Sequence, residues 1–389
     1  MHLPSLWPDF ASFLSPGIRL PPSHCLSQYD TLERAIACLD LYTVPKDTYN
    51  TSTYATSQPT FAERIAWRDT ITALSAGGRD STGACVTFRF ALPVLLKDIY
   101  TISAFTDIPS NTSYCILHEL HAFGTNPHHA HGQYLKGWGT LVVPSSLEAV
   151  KRHLHISAPH PAYDLGTPIQ AAALFQSTGA KSLLVAGRSR LAYTAPTGCV
   201  ETGTRGETYY ATDPAHNKLE PFYDASLAIY TAQLSHPHGC PETHCAFIQL
   251  HGKSASTCPT DHIFLSAGLG KGSSSLEWYA SPSPRPVKRL QAALRTTFPH
   301  WNVSLPFDRL SCALTATKNV VGRLLNGVPD SDVCATPARA EGVEGYFIHA
   351  EQAAAARFGK DVWEKWAQAL KRAFAEVDED DVASNKASR

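Results

Sequence analysis

Three short segments carry side chains of the types that bind metal ions and move protons. They are Ala158-Pro159-His160-Pro161-Ala162-Tyr163-Asp164-Leu165-Gly166-Thr167, Ile248-Gln249-Leu250-His251-Gly252 and Tyr346-Phe347-Ile348-His349-Ala350-Glu351. In each, the imidazole or carboxylate stands at the end of an apolar run that reads as a strand, and an open α/β sheet gathers its site outside such strand ends. His160, Asp164 and His251 together make a three-ligand zinc set (Zn2+) with a fourth position open. Glu351 is the expected acid/base beside it, and the resulting chemistry is attack of an activated water on an amide or peptide bond. Arg188 and Arg190 follow the end of another apolar run, 181–187. Arg190 is expected to stabilise an oxyanion and Arg188 to hold a substrate carboxylate. His216 and Asn217 open a helical stretch, 216–235, and are expected to contact substrate.

Each of these residues has a plainer reading. A strand-end histidine is commonly a hydrogen-bonded structural residue, and Glu351 could close a salt bridge with Arg357. Arg188 and Arg190 could be ion-pair partners, and His216-Asn217 a helix cap. The patch of His118, His121, His128, His129 and His131 lacks the carboxylate or cysteine spacing that would fix a metal geometry. Gly268-Leu269-Gly270-Lys271-Gly272-Ser273 lacks the four-residue spacer of a phosphate loop. No Gly-x-Ser-x-Gly announces a serine nucleophile.

The elements that must position the candidates follow from hydrophobic pattern and punctuation. Residues 85–96 and 139–143 read as strands separated by the His-rich loop 118–131. Residues 155–158 read as a strand, 168–178 as a helix, and 181–187 as a buried strand. For the helix, Thr167 is the expected N-cap, Gln170 completes a capping box, Pro168 sits at the first helical position and Gly179 is the stop. A strand-loop-helix-strand unit of this length predicts two parallel strands. Strands at 246–250, 262–267 and 346–350, and helices at 286–298 and 362–374, continue the alternation. The expected fold is α/β, with a mixed, largely parallel central sheet flanked by helices in one main domain. An irregular region, 1–80, precedes a catalytic domain, 81–375, and a charged tail, 376–389, is expected to be disordered.

Composition narrows the class. The 389 residues are 43% hydrophobic and 17% charged, enough for a large core, and the formal net charge of −1 offers nucleic acid no general attraction. No apolar run reaches the roughly 20 residues of a membrane helix, and no signal peptide is visible in residues 1–20. Ten scattered cysteines suit disulfides better than a metal cluster, with Cys240 and Cys245 the expected local pair. Asn50, Asn111 and Asn302 begin glycosylation acceptors. A secreted or lumenal protein is expected. The oligomeric state is not legible.

The stretch PHPAYDLGTPIQAAALF resembles the metal-binding loop of zinc-dependent poly-γ-glutamate hydrolase-like proteins, a branch of the zinc carboxypeptidase and N-formylglutamate amidohydrolase-like fold. The resemblance implies a mixed sheet flanked by helices, zinc on His160, Asp164 and His251, and a late strand supplying Glu351 with Arg357 downstream. It covers scattered pieces of 139–357. Two departures stand out: the first carboxylate is Asp164 where Glu is usual, and Pro161 stands where Gly is usual. The implied activity is cleavage of an amide or peptide bond, γ-glutamyl among the candidates. The alternative is a non-catalytic extracellular carbohydrate- or protein-binding module on a hydrolase-like scaffold.

Overall fold

Nine strands form one sheet in the computed structural model, which describes residues 20–76, 84–124, 132–203 and 206–377. In chain order the strands are β1 (Tyr100–Asp107), β2 (Thr112–Glu119), β3 (Ala122–Phe123), β4 (Gln133–Tyr134), β5 (Thr140–Pro144), β6 (Arg152–Ala158), β7 (Ala180–Val185), β8 (Cys245–Gly252), β9 (Ile263–Ser266), β10 (Val303–Ser304) and β11 (Phe347–Gln352). The sheet order is β1-β2-β5-β7-β6-β8-β11-β9-β10, with β3 and β4 paired apart from it. The four central strands, β7, β6, β8 and β11, are parallel. The flanks are antiparallel at β1-β2, β2-β5, β5-β7 and β9-β11, so the sheet is mixed.

The central strands are covered on both faces and are rich in apolar residues, although β6 also buries Arg152, His153 and His155. Ile248, Leu250, Ile348 and Ala350 enter one core, packed by the helices Leu32–Asp40, Thr167–Thr178, Pro286–Thr297 and Lys360–Ala373. Phe247 and Phe347, one residue out of phase, enter a second core with the helices Phe61–Ser75, Pro221–Leu234 and Val320–Leu325. The strand period of two thus divides one sequence between two layers. On the second-core face the strands turn polar toward their carboxyl ends, from Phe247 to Gln249 and His251, and from Phe347 to His349 and Glu351.

Several expectations hold and several need correction. The parallel pair β6-β7, the helix between them and the left-handed Gly179 at its end are as expected, with φ of 61° at Gly179. The capping box is not: Gly166 is the N-cap, Thr167 donates to the Asp164 carbonyl, and Gln170 pairs with Gln352. Gly166 has φ of 87°, and a Cβ there would meet the Phe358 ring, so only glycine admits this entry into the helix. Residues 85–96 are the helix Ala84–Ala91 and a short turn Val94–Leu96, not a strand. A short apolar run carries both periodicities, and the disulfide from Cys85 to Cys115 of β2 holds this one on the sheet as a helix.

His118 lies in β2, buried, with its ring bonded to Ser103 and the Glu119 carbonyl, rather than in a loop. His128, His129 and His131 lie outside the described residues. The region before residue 80, expected to be irregular, holds among the described residues four helices, His24–Gln28, Leu32–Asp40, Thr51–Ser57 and Phe61–Ser75. Leu32–Asp40 packs on Thr167–Thr178, and Phe61–Ser75 on Pro221–Leu234. Helices this short take their stability from such packing, which no local pattern announces. Of the charged tail, only Glu376 and Val377 fall within the described residues, and Glu376 pairs with Arg152.

All ten cysteines are paired: Cys25–Cys38, Cys85–Cys115, Cys199–Cys334, Cys240–Cys245 and Cys258–Cys312. Five disulfides fit an oxidising compartment. Among the described residues no helix is long and apolar enough to cross a membrane.

Candidate metal centre

The connection from β6 runs to β7 on one side, while β8 lies on the other side of β6. Such a switch opens a crevice at the carboxyl ends of the strands. His160 lies just past the end of β6 and His251 near the end of β8, so both stand at that crevice.

The loop after β6 is a tight turn. Tyr163 N–H and Asp164 N–H both donate to the His160 carbonyl, at 3.2 and 2.8 Å, with Ala162 in the left-handed region. This brings His160 Nδ1 to 3.1 Å from Asp164 Oδ2. His251 Nδ1 lies 3.2 Å from His160 Nδ1 and 3.3 Å from the same Asp164 oxygen. His160, Asp164 and His251 are 2%, 4% and 3% exposed, so the three donor atoms converge out of bulk water.

The spacing provides a test of the zinc expectation. Ligands about 2.0–2.1 Å from a tetrahedral zinc lie roughly 3.3–3.4 Å from one another. The three separations, 3.1, 3.2 and 3.3 Å, match that size, and two imidazoles with one carboxylate are a zinc donor set. The nitrogens turned away from the centre are also held. His160 Nε2 lies 3.1 Å from Asp213 Oδ1, and His251 Nε2 lies 3.4 Å from Gln249 Oε1, which accepts from Asn319 at 2.7 Å. Carboxylate and amide partners of this kind select the tautomer that leaves Nδ1 as the donor atom.

Asp213 is the hub of this outer shell. Its Oδ1 also accepts from the Ala215 N–H at 3.1 Å, and its Oδ2 pairs with Arg190 and lies 3.0 Å from His216 Nδ1. Burial alone would raise its carboxyl, but Arg190, His216 and His160 hold it well below the ordinary carboxylate range. Burial and Arg190 oppose a charge on His160, yet Asp213 and the bonds to both aspartates outweigh them and raise it above its ordinary value. For His251 burial dominates and pushes it down to about 4. Burial, reinforced by Asp164, lifts Glu351 to about 8, and His160, Arg190 and Lys253 offset this only in part.

Glu351 sits opposite His251 in the parallel β8-β11 register, and His349 opposite Gln249. No ion pair joins Glu351 to Arg357. The Arg357 guanidinium instead crosses the backbone at Gly252, where a Cβ would come 2.2 Å from its Nη1, and donates to the Leu165 carbonyl at 2.8 Å.

The remaining candidates divide. Arg190 and His216 belong to the cluster through Asp213, and His216 is stacked on Tyr209 at 3.9 Å between ring centroids. Arg188 is placed elsewhere, 1% exposed, bonded to Glu220 at 2.7 Å and to Ser57 at 3.0 Å. Asn217 uses its amide on the Ala211 carbonyl and the Leu219 N–H. The helix expected at 216–235 begins at Pro221, so His216 and Asn217 stand in the turn before it. Sequence reasoning missed Asp213, Gln249, His349 and Asn319. A carboxylate three residues before His216 was the one available signal for Asp213.

No protein-family model matches the chain, and no curated protein does. Among solved structures, the gene product Atu2144 from Agrobacterium tumefaciens aligns with a TM-score of 0.33 and 13% identity, over 61% of this chain and 91% of its own. A protein from Shewanella denitrificans, provisionally assigned as a carboxypeptidase A, aligns with a TM-score of 0.33 and 13% identity over 67% of this chain, which spans 64% of its length. A provisionally assigned metallopeptidase from Shewanella amazonensis gives 0.31 and 11%, over 65% of this chain and 86% of its own. At this overlap the likenesses carry no argument about the site.

Proposed function

We propose that this chain is a secreted, metal-dependent hydrolase that cleaves an amide or peptide bond, with zinc on His160, Asp164 and His251. The observation that carries the reading is the convergence of three buried donor atoms, from two distant segments, at separations of 3.1 to 3.3 Å. Glu351 on the adjacent strand supports it.

A zinc ion in that set, when bound, supplies Lewis-acid polarisation of a carbonyl and lowers the pKa of water toward neutrality. The residues do the rest. With a cation nearby to offset the burial that raises its carboxyl, Glu351 accepts a proton from water and returns it to the nitrogen of the leaving amine, work of about 10²- to 10⁴-fold. Asp213 holds the His160 ring, and Arg190 keeps Asp213 ionised while placing a guanidinium charge beside the reacting carbonyl. Arg357, across Gly252, adds a second cation at the rim. Exposed Tyr163 and Leu165 on the His160 loop offer apolar contact to the substrate. Asn50, Asn111 and Asn302 are exposed, as glycan acceptors of a secreted protein must be.

The test is Glu351→Gln, assayed on a panel of peptide, formyl-amino acid and γ-glutamyl amides alongside metal analysis. Turnover should fall by about 10²-fold or more with about one zinc per chain retained. Hydrolysis by the variant at the parent rate would remove Glu351 from the mechanism. Absence of zinc from the reconstituted parent would remove the mechanism itself.

A further inference from the structure

We propose that the centre has a second divalent-cation position, held by His349 and Glu351 and bridged to the first by His251, which gives up its Nε2 proton to solvent and serves both ions as an imidazolate. Among the described residues only two groups bring three metal-binding side chains within 4.8 Å of one another: His160, Asp164 and His251, and then His251, His349 and Glu351. The second group lies along two neighbouring parallel strands, so the backbone hydrogen-bond ladder fixes its spacing.

His349 supplies the independent observation. It is 6% exposed, its Nδ1 has no hydrogen-bond partner, and its Nε2 lies 3.6 Å from Glu351 Oε1, beyond hydrogen-bond length. A buried imidazole nitrogen without a partner carries an uncompensated desolvation cost. Nothing in the strand pattern requires a polar residue there, because Phe347, two residues earlier on the same face, fills the core. Ligation of a cation gives the His349 ring a partner and offsets the charge of the half-buried Glu351. The ring is packed 4.4 Å from the His251 ring, centroid to centroid, which keeps the shared ligand close. Two imidazoles and a carboxylate suit borderline divalent ions such as Zn2+ and Co2+. A cation at this position engages Glu351 and withdraws it from proton transfer, so its occupancy regulates the hydrolysis proposed above.

The sharing of His251 is the one dependence on that proposal, and cobalt stoichiometry separates the two. Metal-free full-length protein is dialysed against Co2+, and bound cobalt is measured by elemental analysis for the parent, His349→Ala and His160→Ala. Two, one and one cobalt per chain are expected. His349→Gln serves if His349→Ala loses its native circular dichroism. One cobalt in both the parent and His349→Ala, with none in His160→Ala, overturns the second position and leaves the first intact. One in the parent, retained in His160→Ala and lost in His349→Ala, keeps this position and overturns the first. No cobalt in any of the three overturns both.

Discussion

Replacing Asp213 by Asn keeps the shape of the side chain and removes its charge, which isolates what the carboxylate does for the centre. The amide oxygen can still accept from His160 Nε2 and the Ala215 N–H, both 3.1 Å from Oδ1. At the Oδ2 position an NH2 group then faces the Arg190 guanidinium, donor against donor, and Arg190 is left mostly buried without its anion. Losing an outer-shell carboxylate costs about 10- to 100-fold in metal affinity, or about 1.4–2.7 kcal/mol. Breaking a buried ion pair on one side costs about 3–5 kcal/mol of folding stability. The lower end applies here, because two of the acceptor bonds survive. Metal affinity is read by competition with a chelator at pH 7, and stability by urea unfolding of the metal-free protein. Affinity within twofold of the parent, together with an unchanged unfolding midpoint, would refute the role given to the Asp213 charge in supporting His160 and Arg190.

Two further predictions concern stability. His153 and His155 of β6 are buried and bonded to Gln233 and Ser182; burial first, then Lys181, pushes them down to about 2 and about 3 from 6.5. The unfolded chain takes up these protons near pH 6.5 and the folded one does not, so their contribution is complete above 6.5 and is lost as pH falls below it. Each costs about 1.4 kcal/mol per pH unit. Urea unfolding at pH 7, 6 and 5 should show a shallower slope for His153→Gln/His155→Gln, and equal slopes would contradict the prediction. The disulfides differ in the length of chain they close, 135 residues for Cys199–Cys334 against 5 for Cys240–Cys245. By loop entropy, replacing the first pair with Ala should cost about 3 kcal/mol more than replacing the second. Denaturant unfolding of the two double variants checks the order.

The sequence disclosed the candidate site where chemistry coincides with strand ends. The strands ending near Ala158, Leu250 and Ala350 are rich in apolar residues because they are covered on both faces, and the imidazoles and carboxylate beyond or beside those ends lie at the sheet edge. Asp213 stayed hidden because the described part of the segment between Val185 and Pro221 has no strand or helix, and its partners come from the ends of β6 and β7. The pair β1-β2 was missed because its residues are mixed in polarity: Ala104 and Thr106 are exposed while Tyr114 and Ile116 are buried. The same holds for the helix Ala84–Ala91, whose tie to Cys115 is a contact across 30 residues that no local window contains.

The candidate ligands and their supports are scattered along the chain, at 160 and 164, 213, 249 and 251, 319, and 349 and 351. None of these segments can form the cluster alone, because His251 meets Asp164 only when β8 docks beside β6, and Glu351 joins only when the last strand enters between β8 and β9. Contacts of such long range form late in folding. The three candidate ligands can meet once the chain is complete through β8, whereas Glu351 arrives only with β11. A fragment ending before Phe347 lacks Glu351, and on the function proposed above it is expected to be inert toward amide bonds.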